Sequence, residues 1–532
     1  MGAPLTSVSN RTIRMNLRSV SRRGIAALLL ATPTLSAQTT KLPPLVYTVR
    51  VAPPTHQTLD IDVQVPTEAR DSIFLMMPIW SPGMYALQSY GDRVTAIAAK
   101  APDGTALDVS RISPSRWLLR TGRRPTVTVS YTVSAARGTN LSTGVTDTSL
   151  VIIGPATYIT LADDRKRPAE VRLDVPSDWK PAATSLDAAP DHHVNHFVAP
   201  DYDVLADSPI LDGTHLTSAS VTVGGVRHRW ADLGDAALGA DSAIAWVKPL
   251  LEEHRRFWTS LPLNNYVFLN IVTRAGPGSG VEHLNSVAIN TSGAVPTTPE
   301  AWFRQASFIS HEYFHAMNVK RLRPVELGPF DYEHTPVTTG LWVSEGLTSY
   351  FGDLLAARSG LGSPQDYLAL ASKHITDLQN GPGRLVQSLE QASAQMFERI
   401  PADKRVDYYV KGPVVGLVLD AHIRKATNGR KSMDDVIRAE YRAWSGARGF
   451  TAAEFAKTAS DAVGVDLVPL LHKLVATTEE VDYSEMLEWF GLRFAANDDP
   501  KKQWTLEIRP DATAEQTAHF KALLAPSRGP RS

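Results

Sequence analysis

The chain has 532 residues, of which 43% are apolar and 20% charged, and its formal net charge is -1. That balance describes a globular protein with room for two or three cores, not a disordered or membrane-embedded chain, and it supplies no general field for nucleic acid or an anionic bilayer. Cysteine is absent. Disulfides, thiolate ligands and cysteine nucleophiles are therefore excluded, and His, Asp and Glu remain as ligand chemistry.

At the amino terminus Arg11, Arg14, Arg18, Arg22 and Arg23 precede the apolar run "GIAALLLA" and the small-residue sequence "LSA". A basic region, a short apolar core and a small-residue exit predict a signal peptide over residues 1–37, too short in its core to span a bilayer permanently. The expected protein is exported, periplasmic or secreted. Either the general or the twin-arginine route fits, since "SRRGIA" carries adjacent arginines. Removing five Arg from 54 basic residues leaves 49 against 55 acids, a mature charge of -6. No later apolar run reaches membrane length.

From about 45 to 225, "YTVRV", "LDIDVQV", "SIFLMM", "PTVTVSYTV", "TSLVII" and "EVRLDV" are β-branched, mostly alternating and separated by turn residues. They predict an all-β domain over 38–232. The composition then changes. "DAALGADSAIAWVKPLLEEHRRFWTSL" has helical spacing, "NYVFLNIVT" reads as one strong strand, and helical patterns dominate from 298 to about 475. A second domain is expected over 233–490, followed by a short extension over 491–532 with one strand and one helix, and a disordered basic tail. The fold class is multidomain α+β.

Thr297 and Thr298 before Pro299 predict a helix over about 299–318. Within it "HEYFH" puts His311 and His315 one turn apart on one face, with Glu312 about a hundred degrees around. Two imidazoles on one face suit a tetrahedral zinc ion, and Glu312 is placed to act on water beside it. The alternative is a pair of core histidines. Thirty residues after His315, Glu345 lies near the start of a second helical stretch among Leu341, Trp342 and Leu347. A buried carboxylate there is costly unless paired or metal-bound. His311, His315 and Glu345 would leave a fourth position open, as a catalytic zinc site requires.

"HEYFHAMNVKRLRP" with "GLWVSEGLTSYFGDLL" resembles the glycyl aminopeptidase family of exported bacterial metallopeptidases, and more distantly the alanyl aminopeptidase group. The resemblance extends through "WSPGMY", "DYDVLADSPI", "GSGVEHLNS" and "YYVKG". It implies a thermolysin-like catalytic domain after the β domain. It also implies an amine-binding role for Glu282, an oxyanion-stabilising phenol at Tyr409 and a preference for small first residues such as Gly or Ala. Tyr408 is the neighbour to distinguish from Tyr409, and His283 and Asn285 are expected to shape the pocket. Asn318 and the nearby arginines are expected to make helix-end hydrogen bonds. The family usually carries a PDZ domain, for which the residues after "LEWFGLRF" are too few. The expected activity is removal of N-terminal residues from peptides with one zinc ion and Glu312 as general base. An endopeptidase on the same chemistry, or a non-catalytic zinc-containing binding protein, is the alternative.

Overall fold

Alternation builds the first half. In strand Thr58–Pro66, Leu59, Ile61, Val63 and Val65 are buried, and in Thr126–Ser134 so are Val127, Val129, Tyr131 and Val133. The two pair antiparallel with Ile61 opposite Tyr131 and Val63 opposite Val129, so one face of the ladder is continuous apolar surface. These strands belong to an eight-stranded sheet, and five- and four-stranded sheets complete this half. The eight-stranded sheet is antiparallel except where Leu45–Arg50 runs parallel to Ala169–Asp174. The structure, a computed structural model, describes residues 42–273, 278–497, 499 and 503–528. The expected signal peptide and the last four residues of the basic tail lie outside them.

The strands just before residue 233 join the sheet of the second half. Strands Leu216–Val223 and Val226–Leu233 form a hairpin whose second strand pairs parallel with Asn265–Val272, so both belong to the sheet of the second half. The change of composition marks the following helix, Ala240–Trp258, and not the start of that sheet. Both faces of strand Asn265–Val272 are covered, as expected of a parallel strand with continuous apolar sequence. Val267, Leu269 and Ile271 join the core of the β-rich half, while Tyr266 and Phe268 join the helical core. This shared sheet is the floor of the site.

The five-stranded order places Ser279–Glu282 at the edge, antiparallel to Ser286–Thr291. The helical core packs against the other side. The helix expected over 299–318 is shorter: it runs Pro299–Phe314, capped by the Thr298 hydroxyl, which accepts from Ala301 N–H at 3.2 Å. Beyond 490 the chain does not hang free. Leu492, Leu506, Phe520 and Leu523 enter the helical core. Arg358 Nε donates to Leu523 O at 2.9 Å, and Ser527 N–H donates to buried Glu253 at 2.7 Å. The expected disorder of the tail therefore does not begin at 525, because buried polar groups hold its first residues.

Candidate metal and substrate site

Three helical segments are drawn together by glycines. Gly352, in helix Thr348–Arg358, crosses the His311 backbone so closely that a Cβ would lie 3.1 Å from it. Gly412, in helix Tyr408–Ala426, rests on Gly346: a Cβ on Gly412 would stand 2.2 Å from the Gly346 Cα. Gly346 follows Glu345 within a π-helical turn, Trp342–Leu347, that leads directly into Thr348–Arg358. π turns are rare and concentrate at functional sites. Here the wider turn points Glu345 at the two histidines.

His311 and His315 Nε2 lie 2.9 Å apart, and Glu345 Oε2 lies 3.7 and 3.2 Å from them respectively. The three donors fall within 4.8 Å of one another. The opposite ring nitrogens are held. His315 Nδ1 meets Asn318 O at 2.9 Å, and His311 Nδ1 meets Ser349 Oγ at 3.2 Å, while that hydroxyl donates to Glu345 O at 3.0 Å. With its proton committed, Ser349 accepts from His311, so both rings turn Nε2 inward. Asn318 Nδ2 also donates to Val343 O at 2.8 Å and Thr348 Oγ1 at 2.9 Å, tying the end of the histidine helix to the π turn. The helix-end role expected of Asn318 and Arg321 is seen, the latter donating to Ala316 O at 2.6 Å.

The electrostatics call for positive charge. Burial would lower His315, but the Glu345 and Glu282 carboxylates push it up to about 10. Burial likewise opposes ionisation of Glu345, yet the charge of His315 and the hydrogen bonds of both histidines hold it well below the usual carboxylate range. Burial pushes Glu312 up to about 8, with Glu282 and Glu345 adding to the shift against His315. Glu282 is also raised, chiefly by burial. Protonated His315 thus supplies the positive charge that a divalent cation would bring. Two imidazoles and a carboxylate, without thiolate, suit zinc in donor type and number.

Two buried carboxylate oxygens, Glu312 Oε2 and Glu282 Oε1, have no hydrogen-bond partner. Glu312 leans on the edge strand, where a Cβ on Gly280 would lie 2.2 Å from its Oε1. Glu282 lies further along that strand, 4% exposed. The Tyr409 ring is 6.0 Å from that of His311 and 40% exposed, whereas Tyr408 is 5% exposed in the core. His283 and Asn285, expected to shape the pocket, each have a defined polar partner. His283 Nδ1 meets Asp207 at 2.9 Å, and Asn285 accepts from Arg321 at 2.9 Å. His334 and Glu333, in the loop between the two helices, pair with Asp331 and Arg116 instead. Tyr85, without distinctive spacing in the sequence, also lies near the Glu345 and Glu282 carboxylates.

Two family models match the chain: the peptidase M61 N-terminal domain over residues 46–214, and the M61 glycyl aminopeptidase over 304–415. The chain belongs to the M61 glycyl aminopeptidase family. It is a peptidase, and its family makes it a metallo-aminopeptidase. No curated protein matches this M61 peptidase. Among solved structures, an aminopeptidase N family protein from Idiomarina loihiensis aligns at 24% identity and TM-score 0.78, covering 84% of this chain and 78% of that one. An M1 zinc metallopeptidase from Deinococcus radiodurans, a glutamate-to-alanine mutant bound to a Tyr-Ser-Ala substrate, aligns at 15% identity and TM-score 0.51, covering 83% and 95%. The same M1 enzyme without that substrate aligns at 14% identity. At these identities the likeness is one of fold. No helix among the described residues of the M61 peptidase is long and apolar enough to cross a membrane.

Proposed function

We propose that this M61 peptidase is an exported zinc aminopeptidase that removes the first residue of peptides. His311, His315 and Glu345 would hold one zinc ion, and their convergence within 4.8 Å is the observation that carries the reading. Bound there, zinc supplies a Lewis acid that polarises the scissile carbonyl and lowers the pKa of water to about 7. Glu312, buried beside the cluster with one oxygen unpartnered, takes a proton from the attacking water and returns it to the leaving amine. Tyr409 donates its phenolic O–H to the oxyanion as the carbonyl becomes tetrahedral. The edge strand Ser279–Glu282 offers backbone groups to an extended peptide, and Glu282 receives the free α-ammonium at its end. Such an anchor fixes which bond meets Glu312, which is what makes the enzyme an exopeptidase. Small first residues such as glycine or alanine are favoured by the family resemblance. Export rests on the ordered features of residues 1–37.

Glu312→Gln tests the core of this reading. It should retain the parent's zinc stoichiometry while turnover is abolished, because the base is lost and all three ligands remain. Loss of zinc in that variant would make Glu312 a ligand and refute the assignment. Parallel assays with free and amino-blocked peptides decide the mode of attack. Equal cleavage of both would replace the aminopeptidase with an endopeptidase.

A further inference from the structure

The β-rich half reaches the substrate strand through the tip of one hairpin. Strands Ala136–Thr139 and Ser142–Thr146 pair antiparallel with Thr139 opposite Ser142, leaving Asn140 and Leu141 as a two-residue turn. The turn is fixed from within: Leu141 N–H donates to Thr139 Oγ1 at 3.1 Å, and the Thr139 and Ser142 hydroxyls lie 2.9 Å apart. Asn140, at its tip, is 1% exposed. Its N–H donates to Asn290 Oδ1 at 3.0 Å, Asn290 Nδ2 donates back to Asn140 Oδ1, and Asn140 Nδ2 donates to Ser279 Oγ at 3.2 Å. Asn290 and Ser279 are themselves register partners on adjacent strands. One asparagine thus clamps the first residue of the edge strand to its inner neighbour.

Ser279–Glu282 pairs on one side only, with Ser286–Thr291. Its Glu282 end is closed by a tight turn, in which His283 N–H donates to Ser286 O at 2.8 Å. Its Ser279 end is the open end of that hairpin, where an edge strand frays unless something ties it, and there Asn140 bonds. A peptide whose α-ammonium meets Glu282 has one direction in which to follow the strand, toward Ser279, and so runs antiparallel to it. At about 3.4 Å per residue, its first two residues cover the part of the strand beside Glu312, and its third and fourth arrive at Ser279. We propose that Asn140 is a positioning residue for the far part of the substrate: by clamping Ser279 to Asn290 it holds the open end of the edge strand in line to pair with the third and fourth residues of a peptide, so that longer peptides bind better than dipeptides. The proposal rests on the reading of Glu282 as the amine anchor and of Ser279–Glu282 as the docking edge.

The test compares the dipeptide Ala-Ala with the tetrapeptide Ala-Ala-Ala-Ala, both with free amino termini, on the zinc-loaded full chain. In the parent, KM should be lower for the tetrapeptide. Asn140→Ala removes the clamp from the β-rich side and Ser279→Ala removes it from the strand side, so failure of one variant to fold leaves the other to decide. Each should raise KM for the tetrapeptide about tenfold, the worth of one or two hydrogen bonds, while kcat and the dipeptide KM stay at parental values. The double variant should be no worse than either single one. Calorimetry in the Glu312→Gln background, which binds without turnover, should show the same rise in Kd for the tetrapeptide. An equal loss on both peptides would overturn the proposal by making the clamp a general support of the fold, and so would a parental tetrapeptide KM in both variants. A parent that cleaves amino-blocked peptides as readily as free ones would refute the anchor at Glu282 itself, an outcome read without the variants.

Discussion

Gly280 and Glu312 meet at the edge of the sheet with no room for a side chain between them: a Cβ on the glycine would fall 2.2 Å from Oε1 and 2.3 Å from Cδ of the glutamate. The strand and the histidine helix therefore set the position of the base together. Gly280→Ala should displace the carboxylate and lower kcat by roughly a hundredfold, the scale of a 1 Å misplacement, while zinc content is unchanged. Steady-state kinetics with metal analysis decide this, and parental kcat would show that Glu312 does not need the glycine.

The two adjacent tyrosines separate by exposure. Tyr409 lies open beside His311 and Tyr408 is buried. Tyr409→Phe should reduce kcat by roughly a hundredfold or more with little change in KM, the signature of a donor used in the transition state. Tyr408→Phe should stay close to the parent. The opposite ranking would assign the oxyanion to Tyr408.

Glu282 has a buried, unpartnered oxygen at the end of the edge strand. If it anchors the ammonium, Glu282→Ala should lose about 2–5 kcal/mol of transition-state binding for free-amino peptides, or roughly thirty- to several-thousandfold in kcat/KM. Glu282→Gln should be nearly as damaging, since it keeps size and removes charge. Both variants should discriminate less between free and blocked peptides. Parental rates in both would remove the anchor.

Far from the cleft in sequence, Glu440 is buried in helix Met433–Trp444 with neither carboxylate oxygen hydrogen-bonded, and burial pushes it up to about 9. The native state keeps this proton over a range where the unfolded chain, at an ordinary pKa of about 4.3, has released it. The contribution to stability is thus complete below about pH 4 and declines as pH rises toward 9, by about 1.4 kcal/mol per unit. Glu440→Gln should remove this slope. Denaturant unfolding at pH 5 and pH 8 should show the variant gaining on the parent at the higher pH, and a constant difference would show that Glu440 is solvated in the native state.

The metal cluster was legible because its evidence is local. His311 and His315 share a helix face by spacing alone, and Glu345 stands out as an acid in an apolar run. Glu282 and Tyr409 needed resemblance, since a lone loop glutamate and one of two adjacent tyrosines have no distinctive spacing. Tyr85 was invisible because it arrives from another half of the chain, on a loop whose destination depends on tertiary contacts made by Trp80. The membership of the hairpin before residue 233 is hidden for a related reason. The hairpin Leu216–Leu233 reads like the strands before it, and only its parallel pairing with Asn265–Val272 reveals the sheet to which it belongs. Residues 315–318 continue the helical rhythm in sequence, but the histidine helix ends at Phe314 and Asn318 bonds across to the π turn.

That π turn has a consequence for engineering. It accommodates one residue more than an α turn would, and losing one of the five besides Glu345 would let the segment relax to regular helix while rotating the residues on one side by about 100°. Glu345 and the helix Thr348–Arg358 would then no longer face His311 together. A campaign that screens only for heat resistance is free to erase the extra residue, because regular helix is the more durable form. One that screens for turnover must retain it, so durability and catalysis are opposed at this single turn.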